Sequence, residues 1–341
     1  MQRDLIKFRE YATPEIIELL DNIEYGTNGA IYKHLDTRDR IAEIDTPLFL
    51  SLEQGARIMA NLTFCRRDQG WYIRFFGFTK GLRAGKHTTR ANSSSLLRKE
   101  LKKVFNDLLE QDRDGYSTEV LYAYIDPQND RSQLISKDFG FERHTTLITQ
   151  TFSRVYPKKS TRLVRIEDYN EVKELFLSRY ADQHFFHDHH IKQGPFHGLR
   201  DRNGKILAFI HTTEVHWIIR QLPGKFGKPL VKLVPFIPFI NRLLKPSQHT
   251  FLAADALWIK DNDPKLLEEL FSAILAERKL NMIIWWSDEK DPASSSLRNK
   301  VKWGLLDKLV GRTPVDVVVR AKEGHAPDKN KPVFVSAFDM V

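Results

Sequence analysis

A carboxylate inside an apolar strand is the clearest candidate for chemistry in this chain. Asp255 stands in the run Ala253-Ala254-Asp255-Ala256-Leu257-Trp258, whose other members are all apolar. Burying a carboxylate is costly unless the group is paired, hydrogen-bonded or used by the protein. The pattern therefore indicates either a structural ion pair, which is the commoner fate of such a group, or a general base.

A polar stretch ahead of a predicted helix is the best candidate for holding an anion. It reads Arg90-Ala91-Asn92-Ser93-Ser94-Ser95. The first turn of a helix presents unpaired backbone N–H groups and the positive end of the helix dipole, which together favour phosphate. Small side chains at Ala91, Ser93 and Ser94 allow close approach, and Arg90 adds positive charge. The other interpretation is a polar N-cap cluster with no ligand.

The histidine-rich run 184–190 invites comparison with metal sites. His184 and His187 could share one face of a helix, with Asp188 as an oxygen ligand. The spacing matches no specific zinc signature, and no cysteine lies near the run. We therefore predict that these residues pack or face a substrate, and we predict no metal site.

Composition indicates a globular chain of two domains. Its 341 residues exceed a typical single domain. The net charge of +9 is spread over 53 basic and 44 acidic residues, and no stripe of aromatic and basic side chains gives a strong nucleic-acid signal. The single cysteine, Cys65, excludes an internal disulfide. Because neither a signal-peptide core nor an apolar run near the ~20 residues of a membrane span is present, we expect a cytoplasmic location.

The elements around the polar stretch follow the order strand, loop, helix, strand, helix. Strand 71–79 leads into the stretch, and strand 120–126 is followed by Asn129 and Gly140-Phe141. The helix between them has an apolar face at helical spacing, formed by Leu97, Leu101, Val104, Phe105 and Leu108. This order resembles the acyl-CoA-binding half of the GNAT N-acetyltransferase superfamily. The resemblance implies that acetyl-CoA or another acyl-CoA lies where the two strands splay apart, and that an acceptor amine attacks the thioester directly.

The resemblance also implies a set of cofactor-binding residues, although the motifs are degenerate. In the family a Gln/Arg-x-x-Gly-x-Gly/Ala loop wraps the CoA pyrophosphate, and here Thr88, Ala91 and Ser93 occupy its key positions. An alternative register at residues 82–87 keeps one glycine but needs a long insertion before the helix. Asn129 matches the family asparagine that contacts the CoA arm. The predicted cofactor-binding residues are Arg90, Ala91, Asn92, Ser93, Ser94 and Asn129.

The predicted catalytic residues are Asp255, Ser136 and Tyr124. Ser136 stands where many family members have a tyrosine that protonates the leaving thiolate, and a serine is a poorer acid. Tyr122 and Tyr124, on the preceding strand, are the possible substitutes, although core packing is the commoner role of such tyrosines. Asp255 falls near the position where the family often carries a catalytic Glu or Asp on a strand.

The order of elements repeats, which predicts an α/β chain of two tandem GNAT-like domains, each a splayed mixed sheet flanked by helices. Ser132 matches Ser294 at an offset of 294 − 132 = 162, and Ile125-Asp126 matches Ser287-Asp288. We predict a GNAT-like domain at 1–156, expected to bind acyl-CoA. A second, degenerate domain is predicted at 162–322, with an apolar and basic insertion at about 223–246, and a C-terminal tail at 323–341.

The insertion leaves three interpretations open. Pro235 and Pro238 deny it a continuous helix, and its apolar surface must bury itself against something. It could pack on its own domain or a dimer mate, close as a lid over the acceptor groove beside Asp255, or make peripheral contact with an anionic membrane through residues 225–245.

The function that the resemblance implies is an acyl-CoA-dependent N-acyltransferase, most simply an N-acetyltransferase, acting on a small-molecule or peptide amine. One alternative resembles the Fem-type aminoacyl-tRNA-dependent transferases, which are tandem GNAT folds without a standard CoA loop. The other is a catalytically inactive binding module, which Ser136 and the missing loop glycines favour.

We predict that replacing Ser93 by Asp weakens acyl-CoA binding, because the new carboxylate would lie beside a phosphate of like charge. Titration calorimetry with CoA measures the change. Unchanged affinity in the Ser93→Asp variant would show that the register assigned to the loop is wrong.

Overall fold

The computed structural model describes residues 6–26, 29–55, 57–79, 91–222 and 227–341, and the side chains of residues 91–97 lie outside that description. The chain divides into two compact units. Unit 1 comprises residues 1–23, 36–144 and 317–328, and unit 2 comprises residues 24–35, 145–316 and 329–341. Each unit therefore includes a segment that is distant in sequence from the rest of it. The predicted domain boundaries stay a prediction.

The strands and helices alternate along most of the chain, as expected for an α/β protein. The strands are β1 (Ile6–Arg9), β2 (Ile31–His34), β3 (Pro47–Gln54), β4 (Arg57–Cys65), β5 (Trp71–Phe78), β6 (Val120–Ile125), β7 (Glu142–Ser153), β8 (Leu163–Ile166), β9 (Phe196–Arg200), β10 (Ile206–Gln221), β11 (His249–Ile259), β12 (Met282–Asp288) and β13 (Thr313–Ala321). The helices are α1 (Pro14–Asp21), α2 (Thr37–Ala42), α3 (Ala91–Glu110), α4 (Asp130–Asp138), α5 (Asn170–Tyr180), α6 (Gly227–Leu233), α7 (Ile240–Leu243), α8 (Pro264–Arg278), α9 (Pro292–Lys300), α10 (Leu305–Val310) and α11 (Ala337–Met340).

Unit 1 is built on a mixed sheet in the order β1-β3-β4-β5-β6. Its first four strands pair antiparallel, whereas β5 and β6 pair parallel. Helix α3 covers one face, and its apolar stripe of Leu101, Val104, Phe105 and Leu108 is buried there, as the periodicity predicted. The Phe105 ring meets Phe139 and Phe141 edge-on at 5.2 and 5.7 Å, which joins α3 to the end of α4.

Unit 2 contains a second mixed set of strands, in the order β7-β12-β11-β10-β9-β8, and β2 adds to it by pairing with β10. Strands β11 and β12 are its parallel pair. Helix α8 packs its buried Leu267, Leu270, Phe271 and Ile274 on this sheet. Its N-cap is Asp263, whose side chain accepts the Lys265 backbone N–H at 2.9 Å, and Pro264 begins the helix.

The two units repeat one arrangement with different connections. Helix α4 and helix α9 have nine residues each and begin 292 − 130 = 162 residues apart, and β6 and β12 begin 282 − 120 = 162 apart. In unit 1 the chain runs 120 − 73 = 47 residues from the last paired residue of β5 to the start of β6. In unit 2 it runs 282 − 254 = 28 residues from the last paired residue of β11 to the start of β12. The predicted pair of splayed mixed sheets flanked by helices is confirmed.

The insertion packs on its own unit through one of its faces. Val234 and Leu244 form a small buried cluster with Ile219 of β10. This end of β10 pairs with the start of β11, where Trp217 lies opposite His249. Asp255 lies six residues further along β11, about 20 Å at the rise of an extended strand. These contacts therefore do not support a lid beside Asp255.

We predict that His249 makes the protein less stable in mild acid. Burial, with Lys245 nearby, lowers the pKa of His249 from 6.5 to about 4, so the unfolded chain binds this proton more readily than the folded one between these values. The free energy of unfolding should fall as the pH drops below 6.5, by about 2 kcal/mol at pH 5.

Urea unfolding at pH 8 and pH 5 measures the effect. A His249→Gln variant should lose less stability between the two pH values than the wild type. The control is His325→Gln, which removes an exposed histidine and should keep the wild-type profile. Equal acid sensitivity in the His249→Gln variant and the wild type would contradict the assignment.

Candidate functional site

The parallel strands of unit 1 part after a short shared ladder. Residues Trp71–Ile73 of β5 pair with Leu121–Ala123 of β6, and the pairing ends there. At this point β5 carries a bulge, because Thr63 and Phe64 of β4 pair with Phe75 and Ile73 and leave Arg74 unmatched in the register. A bulge bends a strand and interrupts its ladder. The result is an opening edged by backbone amide groups that do not belong to the β5–β6 ladder.

Tyr124 is the first residue of β6 beyond the last parallel pair. Its half-buried ring packs against Tyr72 and Tyr122, with ring centroids 4.9 and 6.0 Å away. The Tyr122 hydroxyl accepts a hydrogen bond from Arg67 Nη1 at 2.9 Å. The structure therefore holds the Tyr124 phenol just past the last parallel pair, among aromatic neighbours and with a guanidinium in the same cluster.

Asn129 and Ser136 lie on the helix that follows β6, and both side chains bond within that helix. Asn129 Oδ1 accepts the Ser132 backbone N–H at 3.1 Å, so Asn129 is the N-cap of α4. The Ser136 hydroxyl is buried and donates to the Gln133 carbonyl at 2.9 Å. The geometry gives each residue a structural role, and their predicted roles with cofactor and leaving group stay predictions.

The predicted phosphate-binding residues are described only in part. Arg90 lies outside the described residues, and of Ala91, Asn92, Ser93 and Ser94 only the backbone is described. That backbone forms the first turn of α3, which begins at Ala91. The first turn of a helix has no internal partners for its N–H groups, so these residues supply the amides that an anion would meet.

Unit 2 repeats the parting of the strands between β11 and β12. Leu252–Ala254 pair with Ile283–Trp285, and β11 then bulges, because Ala256 and Leu257 both stand opposite Ile210 of β10. Ala256 has φ +50°, in a left-handed region that residues other than glycine seldom occupy. Asp255 comes directly before this bulge, at the point where the strands part.

The Asp255 carboxylate lies at the centre of a buried hydrogen-bond network. One oxygen is 2.7 Å from His211 Nδ1 on the neighbouring strand β10. The other accepts from the Ser336 hydroxyl at 3.1 Å and from the Ala337 backbone N–H at 2.7 Å. The residue is 3% exposed, so three donors compensate a carboxylate that has almost no contact with water. Of the two interpretations from the sequence, this network supports the paired carboxylate, and the catalytic role stays a prediction.

A second buried carboxylate, Asp288, ends the partner strand β12. It accepts from the Thr145 hydroxyl at 2.9 Å, and from the backbone N–H groups of Lys290 and Val333, each at 2.8 Å. Burial raises the pKa of Asp288, and the hydrogen bonds that it accepts oppose that rise. Asp255 and Asp288 thus each bind a backbone N–H of the same C-terminal stretch.

That stretch, residues 333–337, occupies the gap between β11 and β12. Val333, Phe334 and Val335 are buried and line the remaining cavity of about 20 Å³ together with Asp255 and Asp288. Such a volume is about enough for one water molecule. At the position that matches Ser136, 136 + 162 = 298, unit 2 has Arg298, which donates to Ser287 and to the Asp288 carbonyl. The gap in unit 2 is therefore filled by protein.

His211 is the residue of this network that the sequence analysis missed. A Cβ atom on Gly194 would lie 2.5 Å from His211 Nε2, so only glycine permits the close approach of that backbone. Asp255 at Nδ1 holds the imidazole in one orientation. A histidine within the mainly apolar start of β10 was a usable signal, but its pairing with Asp255 depends on the strand register.

The histidine-rich run packs against the C-terminal helix. His187 Nε2 is 3.3 Å from Asp339 Oδ2, and the His190 ring stacks on Phe338 at 3.7 Å. Within the described residues, no group of three or more His, Cys, Asp or Glu side chains is arranged to hold a metal ion. The contacts correspond to the packing role predicted for this run.

We predict that Asp255→Asn destabilises the protein, because the new amide NH₂ would face a donor where an oxygen now accepts. Leaving one buried donor unsatisfied costs about 1–3 kcal/mol, which urea unfolding would detect. The control is Asp261→Asn, an exposed residue with φ +55°, a conformation that asparagine tolerates. Equal unfolding midpoints for the Asp255→Asn variant and the wild type would contradict the network.

Comparison with known proteins identifies the fold. The chain matches no protein-family model and no curated protein sequence. Among solved structures it is similar to N-myristoyltransferase from Saccharomyces cerevisiae with bound myristoyl-CoA, with a TM-score of 0.53 and 13% identity over 98% of this chain and 89% of that one. It is also similar to a tandem GNAT protein from the clavulanic acid biosynthesis pathway, with a TM-score of 0.51 and 9% identity over 95% and 99% of the two chains. The chain therefore has the tandem GNAT fold, as the order of its elements predicted.

Proposed function

We propose that this protein is an acyl-CoA-dependent N-acyltransferase, with its acyl-CoA site in unit 1 at the opening between β5 and β6. The observation that carries the proposal is that β5 and β6 stop pairing at the Arg74 bulge. Tyr124 is the first residue of β6 after the last pair. Backbone amides at such an edge can stabilise the oxyanion that forms when a thioester carbonyl is attacked. The first turn of α3 can hold the pyrophosphate.

The contrast between the units supports unit 1 as the acyl-CoA site. Unit 2 has the same parting of strands, but residues 333–337 fill its gap and leave room for about one water molecule. Its connection from β11 to α8 is a single 3₁₀ turn at residues 260–262, too short to wrap a pyrophosphate. Only unit 1 has a long segment between the parallel strand and the next helix, from Phe78 to Ala91.

The donor is proposed as a CoA thioester whose acyl chain length is open. Of the similar solved structures, one holds myristoyl-CoA and another is a tandem GNAT protein, which supports an acyl-CoA in general. Acetyl-CoA is the simplest choice. The residues proposed to hold it are Arg90 with Ala91–Ser94 at the start of α3, and Asn129 at the start of α4.

The proposed reaction is direct transfer to an amine of a small molecule or a peptide. The amine nitrogen attacks the thioester carbonyl and gives up one proton to solvent, the C–S bond breaks as the amide forms, and the CoA thiolate takes up a proton. We assign that proton to Tyr124, because the Ser136 hydroxyl already donates within its own helix. A phenol is also the stronger acid of the two.

For Asp255 we propose a positioning role within unit 2. Both of its oxygens already accept hydrogen bonds, so the role proposed for the carboxylate is to orient the His211 imidazole through Nδ1.

We predict that Tyr124→Phe lowers kcat by about 10²- to 10⁴-fold, the usual contribution of a positioned general acid, and leaves acyl-CoA affinity nearly unchanged. The assay measures CoA release from acetyl-CoA and longer acyl-CoAs with a panel of amines, alongside calorimetric binding. The control is Tyr116→Phe, also in unit 1, whose ring packs on Phe8 at 5.7 Å.

Three outcomes separate the alternatives. Binding and turnover that depend on Tyr124 support the proposal. Binding of acyl-CoA without turnover of any amine points to an inactive binding module, and transfer from an aminoacyl-tRNA in the absence of CoA binding points to a Fem-type transferase. Full activity in the Tyr124→Phe variant would remove Tyr124 from the site.

A further inference from the structure

The insertion of unit 2 has one buried and one exposed apolar face. Its inner face packs Val234 and Leu244 against Ile219. Its outer face exposes Phe236 by 81%, Phe239 by 57% and Leu233 by 55%. Single exposed apolar residues are common on protein surfaces, but three large ones within seven residues form a patch that indicates a binding surface.

The backbone at the centre of this patch is in an unusual conformation. Phe239 has φ +67°, which is rare for a bulky side chain, and it follows Pro238 directly. Such conformations persist where the surrounding structure requires them, and they cluster at functional sites. Because the Phe239 side chain remains mostly exposed, burial within unit 2 does not account for its position.

The charges that the segment itself carries have one sign. Between Glu214 and Asp255 the sequence contains no acidic residue, and its basic residues are Arg220, Lys225, Lys228, Lys232, Arg242 and Lys245. A cleft of about 560 Å³ beside helix α7 is lined by Arg242, Lys245 and Lys279, and no carboxylate is among its lining residues. The described part of the insertion therefore presents apolar side chains within a basic surround.

We propose that the insertion, residues 227–246, docks this protein onto an anionic lipid surface. The aromatic and leucine side chains would enter the boundary between headgroups and acyl chains, and the surrounding lysines and arginines would meet lipid phosphates and carboxylates. No helix in the described residues is long and apolar enough to cross a bilayer. The docking is therefore peripheral, and it does not depend on the proposed transferase activity.

Two other occupants fit the patch less well. A second copy of the chain would cover the apolar side chains, but two-fold pairing would bring the basic residues of each copy against those of the other. A nucleic acid would pair with the basic residues. Its binding also uses a positively charged groove in which bases stack on aromatic rings, whereas Phe236 and Phe239 are exposed as isolated rings. An anionic bilayer matches both features.

The test is partition of the full-length protein onto vesicles, measured by flotation. Wild-type protein should bind vesicles that contain about one third phosphatidylserine in phosphatidylcholine, and binding should weaken in high salt and on pure phosphatidylcholine. Phe236→Ser should lower the partition coefficient about tenfold. Lys228→Gln with Lys232→Gln should lower it roughly 10- to 30-fold.

The matched control is Leu134→Ser, which removes a side chain that is 68% exposed on α4 of unit 1. It should bind like wild type, and all variants should keep the wild-type melting temperature and acyl-CoA affinity. Equal binding to neutral and anionic vesicles, or wild-type binding by Phe236→Ser, would overturn the proposal. A dimer in light scattering that Phe236→Ser dissociates would assign the patch to a second copy and overturn it as well.

Discussion

The parting of two parallel strands is the constraint on which the rest of each unit depends. In both units the ladder between these strands covers three residues and then ends at a bulge. Backbone N–H and C=O groups beyond the last pair need other partners, because an unpaired buried polar group is costly. In each unit, these backbone groups find their partners either in another part of the chain or in a bound molecule.

In unit 2 the partners come from the chain itself. Asp255 lies directly before the bulge of β11 and Asp288 ends β12, and each carboxylate accepts a backbone N–H of residues 333–337. This arrangement explains why two nearly fully buried carboxylates are tolerated, and why Arg298 is found where unit 1 has Ser136. In unit 1, Ser136 is shorter than Arg298 and the segment before α3 is longer. There the proposed partner of the strand ends is a CoA thioester.

The insertion is anchored to its unit at a place away from the strand gap. Val234 and Leu244 fix it to β10 near Ile219, at the end of the strand away from Asp255. Leu233, Phe236 and Phe239 stay mostly exposed and contribute less to that anchorage. Chemistry and surface attachment thus reside on different parts of the chain, and one can be altered without the other.

The fold and much of the local structure could be predicted from the sequence. The apolar stripe of α3 and the 162-residue offset between α4 and α9 could be found in it, because periodicity and spacing record which face of each element is buried. It also singled out Asp255 as an unusual carboxylate. Three features could be seen only in the folded chain: His211 is the partner of Asp255, residues 333–337 return to fill the gap in unit 2, and Phe236 stays exposed. These outcomes depend on strand register and on contacts between segments far apart in the chain, which compete over the whole molecule and leave no local pattern.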